Sequence, residues 1–404
     1  MIIVIDPLIK GFSHEMVNAG FVYSISKDNQ DKEILFIAEE KHIKCIQNIF
    51  ESNNYNPSNI KYMAKGNVFN FIKINIKLRE YSNKKLIEKY IFLSFDAITV
   101  SLIYKFIKVT PVYLVCHAIF EQLIDNSNQR EGLAKTKNDI LNKISNTSLL
   151  SLTKLTLVYA KKYLIKYYDA LINKIFNFKK IFLQQSSSNV IFIVLSEHII
   201  SNLKNNNVVH NNKIINITMP YIYSENNNYV LNTKLNNFGI VGYGSPRAMK
   251  VLVENINSLD LLNKYYFWNI GANASGLKDI KNIYFPIQGG FLSREDINTY
   301  SQNLDFTLIL YDRKSYTLSC SATIMESIMY MKPIIYLDNS CVNEFNKHDI
   351  GIKCDTLKEL TECIVNIINN PEKYRVQYEK YMKNIIELRG KLDLKNRVLI
   401  KDIK

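Results

Sequence analysis

The sequence predicts an α/β protein of two doubly wound, Rossmann-like domains facing a central cleft. Short β-branched and aromatic runs alternate with longer helical patterns. That is the rhythm of parallel strands covered by helices on both faces. The rhythm breaks in Asn-rich polar stretches at 205–212 and 224–237 and then restarts, as a linker between two such units would read. A length of 404 residues suits two domains better than one.

The expected strands of the first domain are Ile2–Ile5, Ile34–Ala38, Ile91–Ser94, Tyr113–Cys116 and Val190–Leu195, with helices such as Ser13–Ser26 and Lys41–Ser52 between them. Each strand is a continuous apolar run, the mark of a strand buried on both faces. The second set is Phe238–Gly242, Tyr266–Ile270, Ile283–Phe285, Phe306–Leu310 and Pro333–Leu337. The expected division is a first domain over 1–222, a linker over 223–237, a second domain over 238–378, and a helix over 379–404 that returns to the first domain. In such sheets ligands bind beyond the carboxyl ends of the strands. The cleft between the two units is therefore the expected site.

Hydrophobic residues make up 47% of the chain, enough for two cores. The formal net charge is +14, which points to anionic partners: nucleic acid, a membrane surface or small molecules. The basic residues are dispersed and no nucleic-acid-binding motif occurs, so nucleic acid is not an expected partner. The cysteines Cys45, Cys116, Cys320, Cys341, Cys354 and Cys363 form no CxxC pair and read as reduced thiols of a cytoplasmic protein. The apolar N-terminal run is short, lacks a basic leader and carries Asp6, so it is not expected to be a signal peptide. No apolar run reaches the roughly 20 residues that span a bilayer. Residues 135–185 combine helical periodicity with lysines and aromatics, including Lys161, Tyr163, Lys166 and Phe176. Such a face can lie on anionic headgroups, and a solvated basic helix would read the same way.

The segment 283–374 carries the chemistry. A strand leads to Gly289 and Gly290, then to a helix opened by Ser293 with Glu295 and Asp296 in its first turn, a good helix start. Another strand follows, then a polar loop, the run Ser321-Ala322-Thr323, Glu326, Lys332-Pro333, Gly351-Ile352 and Asn370-Pro371-Glu372. This ordered set resembles the C-terminal half of GT-B glycosyltransferases of the bacterial surface-polysaccharide type. The likeness is clear over 238–375 and faint over 1–222. It implies a nucleotide-sugar donor in the second domain, with Glu326 accepting hydrogen bonds from the ribose hydroxyls. It also implies a glycan or lipid-linked acceptor in the first domain.

The physical chemistry of the residues agrees with that. A helix opening near Ser321–Thr323 offers free N–H groups and a dipole that favours a diphosphate. A carboxylate facing a cis-diol meets two neutral donors with one charged acceptor. Thr323 and Glu326 also have the spacing of a capping box. Gly242 and Gly244 follow a strand and open a helix bearing Arg247 and Lys250, cations placed to hold a diphosphate or to stand on the surface. Many retaining members of the fold carry a second Glu eight residues before the ribose Glu, and Leu318 stands there. Retention and inversion therefore both stay open. No Asp-x-Asp pair or His/Cys cluster with ligand spacing occurs, so no metal and no cofactor beyond the donor are expected.

In the first domain, His14 and Glu15 follow the first strand, and His117 and Glu121 follow Tyr113–Cys116. Both places face the cleft in the expected topology, and His14, His117 and Glu121 are the candidates for proton transfer. Ser196-Glu197-His198 reads as a helix start, and His42, His210 and His348 carry no case. Two other classes fit the same fold: a sugar-nucleotide epimerase, and a catalytically silent subunit that binds a partner transferase.

Overall fold

A computed structural model describes residues 1–66, 86–124, 177–223, 234–242, 245–259, 261–262, 264–271, 277–286 and 292–399. Gly244, Gly289, Gly290 and most of the 135–185 stretch lie outside them.

The first sheet contains β1 (Ile2–Ile5), β2 (Ile34–Ala38), β3 (Ile60–Ala64), β4 (Lys89–Phe92), β5 (Val112–Cys116), β6 (Val190–Val194) and β7 (Lys213–Asn216). Their order is β3-β2-β1-β4-β5-β6-β7, and every pairing is parallel. The second sheet contains β8 (Asn237–Val241), β9 (Tyr266–Ile270), β10 (Ile283–Tyr284), β11 (Phe306–Ile309), β12 (Ile334–Leu337) and β13 (Gly351–Cys354). Their order is β10-β9-β8-β11-β12-β13, again all parallel. Each sheet reverses direction beside its first strand, between β1 and β4 and between β8 and β11. Connections diverge there and leave a crevice at the strands' carboxyl ends. The chain thus has two doubly wound domains, as its alternating pattern predicts.

The helices are α1 (Glu15–Asp28), α2 (Glu40–Ser52), α3 (Ala97–Phe106), α4 (Phe178–Gln184), α5 (Glu197–Asn205), α6 (Pro246–Asn257), α7 (Arg294–Gln302), α8 (Ala322–Met329), α9 (Ser340–Asn346), α10 (Leu357–Asn369) and α11 (Pro371–Leu392), with a 3-10 turn at Ile119–Leu123. Their starts follow capping chemistry. Asp96, Ser293, Ser321, Asn339 and Thr356 each accept a backbone N–H of the helix they open. At α7 the cap is a full box of Ser293 and Asp296. At α8 the cap is Ser321, so the Thr323–Glu326 capping box is corrected: the Thr323 N–H binds Ser321 Oγ and the Thr323 hydroxyl donates elsewhere.

The domains share more than a linker. Leu318, in the loop after β11, is fully buried in a core otherwise built from the first domain, including Phe120, Phe178, Phe182 and Phe192. The expected linker 223–237 is flanked by buried residues, Tyr221, Ile222 and Tyr223 on one side and Leu235 near the other end. A Cβ on Gly20 of α1 would sit 2.7 Å from the Pro220 carbonyl oxygen, so glycine is required where the chain leading into that linker crosses α1. α11 is one helix through residue 378, so the expected boundary at 378/379 falls inside it. Beyond it residues 393–399 lie on the first domain, where the Lys27 ammonium donates to the Leu394 and Lys395 carbonyls at 2.7 and 2.5 Å. All six cysteines are free thiols. Among the described residues no helix is long and apolar enough to cross a membrane.

Candidate active site

The second domain's wall of the cleft forms where β8 and α8 meet. β8 ends at Val241, and Gly242 turns the chain with φ 77°, a left-handed conformation that favours glycine. A Cβ on Gly271, at the end of β9, would lie 2.0 Å from the Gly242 carbonyl oxygen, so the two strand ends touch. The Thr323 hydroxyl donates to the Val241 carbonyl at 3.1 Å, which ties the first turn of α8 to this strand end. Ser321 is joined to the Tyr311 hydroxyl at 2.8 Å. Ala322 is the first residue of α8. Its free N–H groups and dipole favour an anion at that end.

Glu326 lies one turn further in, and its carboxylate is 12% exposed. Its Oε1 accepts from the Tyr221 hydroxyl and from Arg294 Nη1 at 2.8 Å. Its Oε2 takes one contact from the same nitrogen at 3.1 Å. Arg294 Nε donates to Oε1 of Glu15 at 3.1 Å. One guanidinium therefore joins the first residue of α1, in the first domain, to Glu326 in the second. Burial pushes the Glu15 carboxyl above its usual range, and Arg294 opposes that shift.

The two helix cations expected near Gly242 differ in their surroundings. Arg247 is exposed on the first turn of α6. Lys250 is half exposed and pairs with Glu254 at 3.7 Å, one turn along the same helix, while the opposite face buries Met249, Leu252, Val253 and Ile256.

The first domain's wall is the loop after β1. His14, in a left-handed conformation with φ 54°, ends that loop and starts α1. The loop is held by a fully buried Asp6. Asp6 accepts from Asn18 and Ser94 side chains and from the Ile9 N–H. His42, also fully buried, contacts Asn18 at 3.0 Å and reaches the Gly11 carbonyl at 2.7 Å. Glu39 receives the Gly11 N–H at 3.0 Å. His42 thus braces the loop that presents His14.

The rings of His14 and His117 lie 4.6 Å apart at 57°. His117 Nε2 is 2.8 Å from the Leu93 carbonyl. A carbonyl only accepts, so Nε2 carries the proton and Nδ1 of a neutral ring keeps its lone pair. Burial, with His14 next in weight, holds His117 down to about 3. Burial also lowers His14, and Asp6 opposes that shift. Both rings are therefore neutral near pH 7.

Glu121 lies at the domain junction. Its Oε1 accepts the Leu318 N–H at 2.8 Å and the Ser319 hydroxyl at 2.7 Å. His198 approaches the carbonyls of Tyr316 and Ser319 at 3.0 and 3.1 Å. Asn202 donates to the Thr317 carbonyl at 2.8 Å. The first domain thus grips the 316–319 loop with Glu121, His198 and Asn202. Among the described residues no group of three His, Cys, Asp or Glu side chains could hold a metal ion.

The structure brings together Gly242, Ser321, Ala322, Thr323 and Glu326 on one wall, and His14 with His117 on the other. Reading the sequence missed Arg294, Tyr221 and the Asp6–Asn18–His42 brace.

This architecture is the GT-B fold. Solved structures that share it include Anabaena Alr3699/HepE in complex with UDP and glucose. That structure has 12% identity and a TM-score of 0.55, over 97% of this chain and 95% of that one. Sucrose-phosphate synthase from Thermosynechococcus elongatus has 10% identity and a TM-score of 0.54, over 100% and 98%. WaaG, a glycosyltransferase involved in lipopolysaccharide biosynthesis, has 11% identity and a TM-score of 0.51, over 97% and 98%. No protein-family model matches the chain, and no curated protein sequence matches it.

Proposed function

We propose that the chain is a glycosyltransferase that moves a sugar from a nucleotide-sugar donor to a glycan or lipid-linked acceptor. The observation that carries this is the position of Glu326. It stands one turn inside the helix whose N-terminus abuts the Gly242 turn, across the cleft from the His14–His117 pair. Structures of this fold hold UDP with glucose, and UDP-glucose, in the Anabaena protein, which supports a nucleotide-sugar here.

In this reading the diphosphate sits at the α8 N-terminus. The Gly242 turn lets the backbone approach it, and the N–H groups of Ser321 and Ala322 face its oxygens, while the Thr323 N–H is held by the Ser321 cap. Such donors help most if they strengthen as charge grows on the leaving group. Arg247, exposed beside this turn, adds positive charge without a metal. Lys250 is the weaker candidate because Glu254 already holds it. Glu326 receives the ribose hydroxyls. The anomeric carbon then faces the first domain, where the neutral rings of His14 and His117 can accept a hydrogen bond from the acceptor hydroxyl. His14 is assigned the proton-accepting role, because Asp6 partly offsets the lowering of its pKa. Glu121 is assigned to the junction. Assembly of a bacterial surface polysaccharide or lipopolysaccharide at the cytoplasmic face of the membrane is the proposed setting, supported by the fold shared with WaaG and by the basic composition.

A thermal-shift panel of UDP-, GDP-, CMP- and dTDP-sugars tests this. A ligand bound only by the folded state raises Tm by mass action. One nucleotide class should raise Tm, and Glu326→Ala should abolish the ligand-induced rise. That rise is the readout, because the substitution also leaves Arg294 short of a partner. A folded protein indifferent to every nucleotide would refute the transferase reading.

A further inference from the structure

Arg294 stands at the first helical position of α7. A helix N-terminus favours anions, so a cation there is locally unfavourable. Local helix stability does not account for the residue, whereas its contacts across the cleft do. Its guanidinium meets Glu326 through Nη1 and Glu15 through Nε. The planar fork fixes both carboxylates relative to each other, which a lysine ammonium could not do.

The contacts are distributed unevenly on Glu326. Oε1 has two donors, Tyr221 and Arg294, and each carboxylate oxygen has about two acceptor positions. Oε2 has one longer contact at 3.1 Å; the Tyr330 hydroxyl also borders this carboxylate but gives its hydrogen to Asn298 at 2.6 Å, so Oε2 keeps acceptor capacity. A carboxylate pinned mainly through one oxygen, with acceptor capacity left on the other, is set to accept from an incoming hydroxyl. Without the pin it would spend side-chain entropy to adopt that orientation.

We propose that Arg294 is a positioning residue for ribose recognition: with Tyr221 it fixes the Glu326 carboxylate so that Oε2 receives a ribose hydroxyl. This rests on the donor reading of Glu326 given above. Arg294 touches neither nucleotide nor sugar in this scheme and acts through Glu326. Because its Nε is held by Glu15, the orientation of the donor-side carboxylate depends on the first domain. Glu15 directly follows His14, so the same ion pair links the ribose contact to the wall that receives the acceptor.

The test is calorimetric titration of the full chain with UDP, GDP, ADP and CDP and with their 2′-deoxy counterparts. Wild type should prefer one ribonucleotide over its deoxy form by about tenfold, as loss of a hydrogen bond to a charged group implies. Arg294→Met should bring that ratio to about one while leaving the affinity for the deoxy form nearly unchanged. A structural defect would instead weaken both forms together. Arg294→Gln, which keeps an amide donor without the charge, should be intermediate. Tyr221→Phe, which removes one hydroxyl, should shift the ratio the same way if the Arg294 variants do not fold. A wild-type ratio in Arg294→Met would overturn the proposal, and so would tighter ribonucleotide binding, which would make Arg294 a competitor for the site. Wild type that binds nucleoside diphosphates without preferring ribose would also overturn it. Wild type that binds none of them would instead remove the donor reading beneath it.

Discussion

The Nε2 of His117 donates to the Leu93 carbonyl at 2.8 Å, and that bond joins the ends of two neighbouring strands. Leu93 follows β4 and His117 follows β5, so the ring is fixed by the sheet that presents it. Its remaining nitrogen is an acceptor while the ring is neutral.

That neutrality has a measurable cost in acid. The folded-state pKa of about 3 lies below the ordinary value near 6.5. Between those limits the unfolded chain binds the proton and the folded chain does not, so stability falls as pH is lowered from about 6.5 toward 3. The slope is bounded by about 1.4 kcal/mol per pH unit. His117 keeps some solvent contact, so the slope should fall short of that bound. Urea unfolding of wild type and His117→Gln at pH 7, 6 and 5 measures it. The variant should lose less stability on acidification, and parallel curves would contradict the assignment.

Leu318 makes the domain junction testable. It comes from the second domain and is fully buried in the first domain's core. Leu318→Ala removes that contact and leaves a cavity, which costs about 2–5 kcal/mol. Because the lost contact joins the domains, the unfolding of the two domains should also become less concerted than in the wild type. A urea titration followed by both fluorescence and circular dichroism reads both effects. A shift under about 0.5 kcal/mol, the usual range for an exposed position, would mean that Leu318 does not anchor the domains.

The fold was legible where burial dictated the pattern. β1, β2, β6 and β12 are nearly continuous apolar runs buried on both faces, and their sequences say so. β3 and β7 escaped notice because they are the sheet's edges. Ile60–Ala64 and Lys213–Asn216 contain only partly buried and exposed positions and carry Lys and Asn. An edge strand has one neighbour, so water tolerates such residues there. Glu326 and the Ser321 region were legible because a helix start and a carboxylate one turn later are local features. Arg294 and Tyr221 were not, since their partners lie 32 and 105 residues away. The Asp6–Asn18–His42 brace was hidden for the same reason, although an Asp inside the first apolar run was a signal that a polar partner must exist. Lys27 is the extreme case, with partners more than 360 residues away.

Lys27 also yields a prediction about the returning chain end. Its ammonium donates to three carbonyls in and just past the turn that follows α11, those of Leu394, Lys395 and Arg397, the last at 3.3 Å. An ammonium has three donors and no acceptor, so all three hydrogens are used on one backbone segment. Hydrogen bonds to a charged group contribute about 1.5–3 kcal/mol, and here they also satisfy carbonyls beyond the end of α11. Packing supports the same docking: Leu394 is fully buried, and the Lys395 ammonium sits 4.9 Å over the Tyr55 ring. Lys27→Met keeps the aliphatic stem and removes only the donors. Global stability should fall by about 1–3 kcal/mol, and proteolysis should concentrate after residue 392, since local opening precedes cleavage. A Lys27→Met protein cleaved at the wild-type rate in that segment would show that apolar packing alone holds the chain end on the first domain.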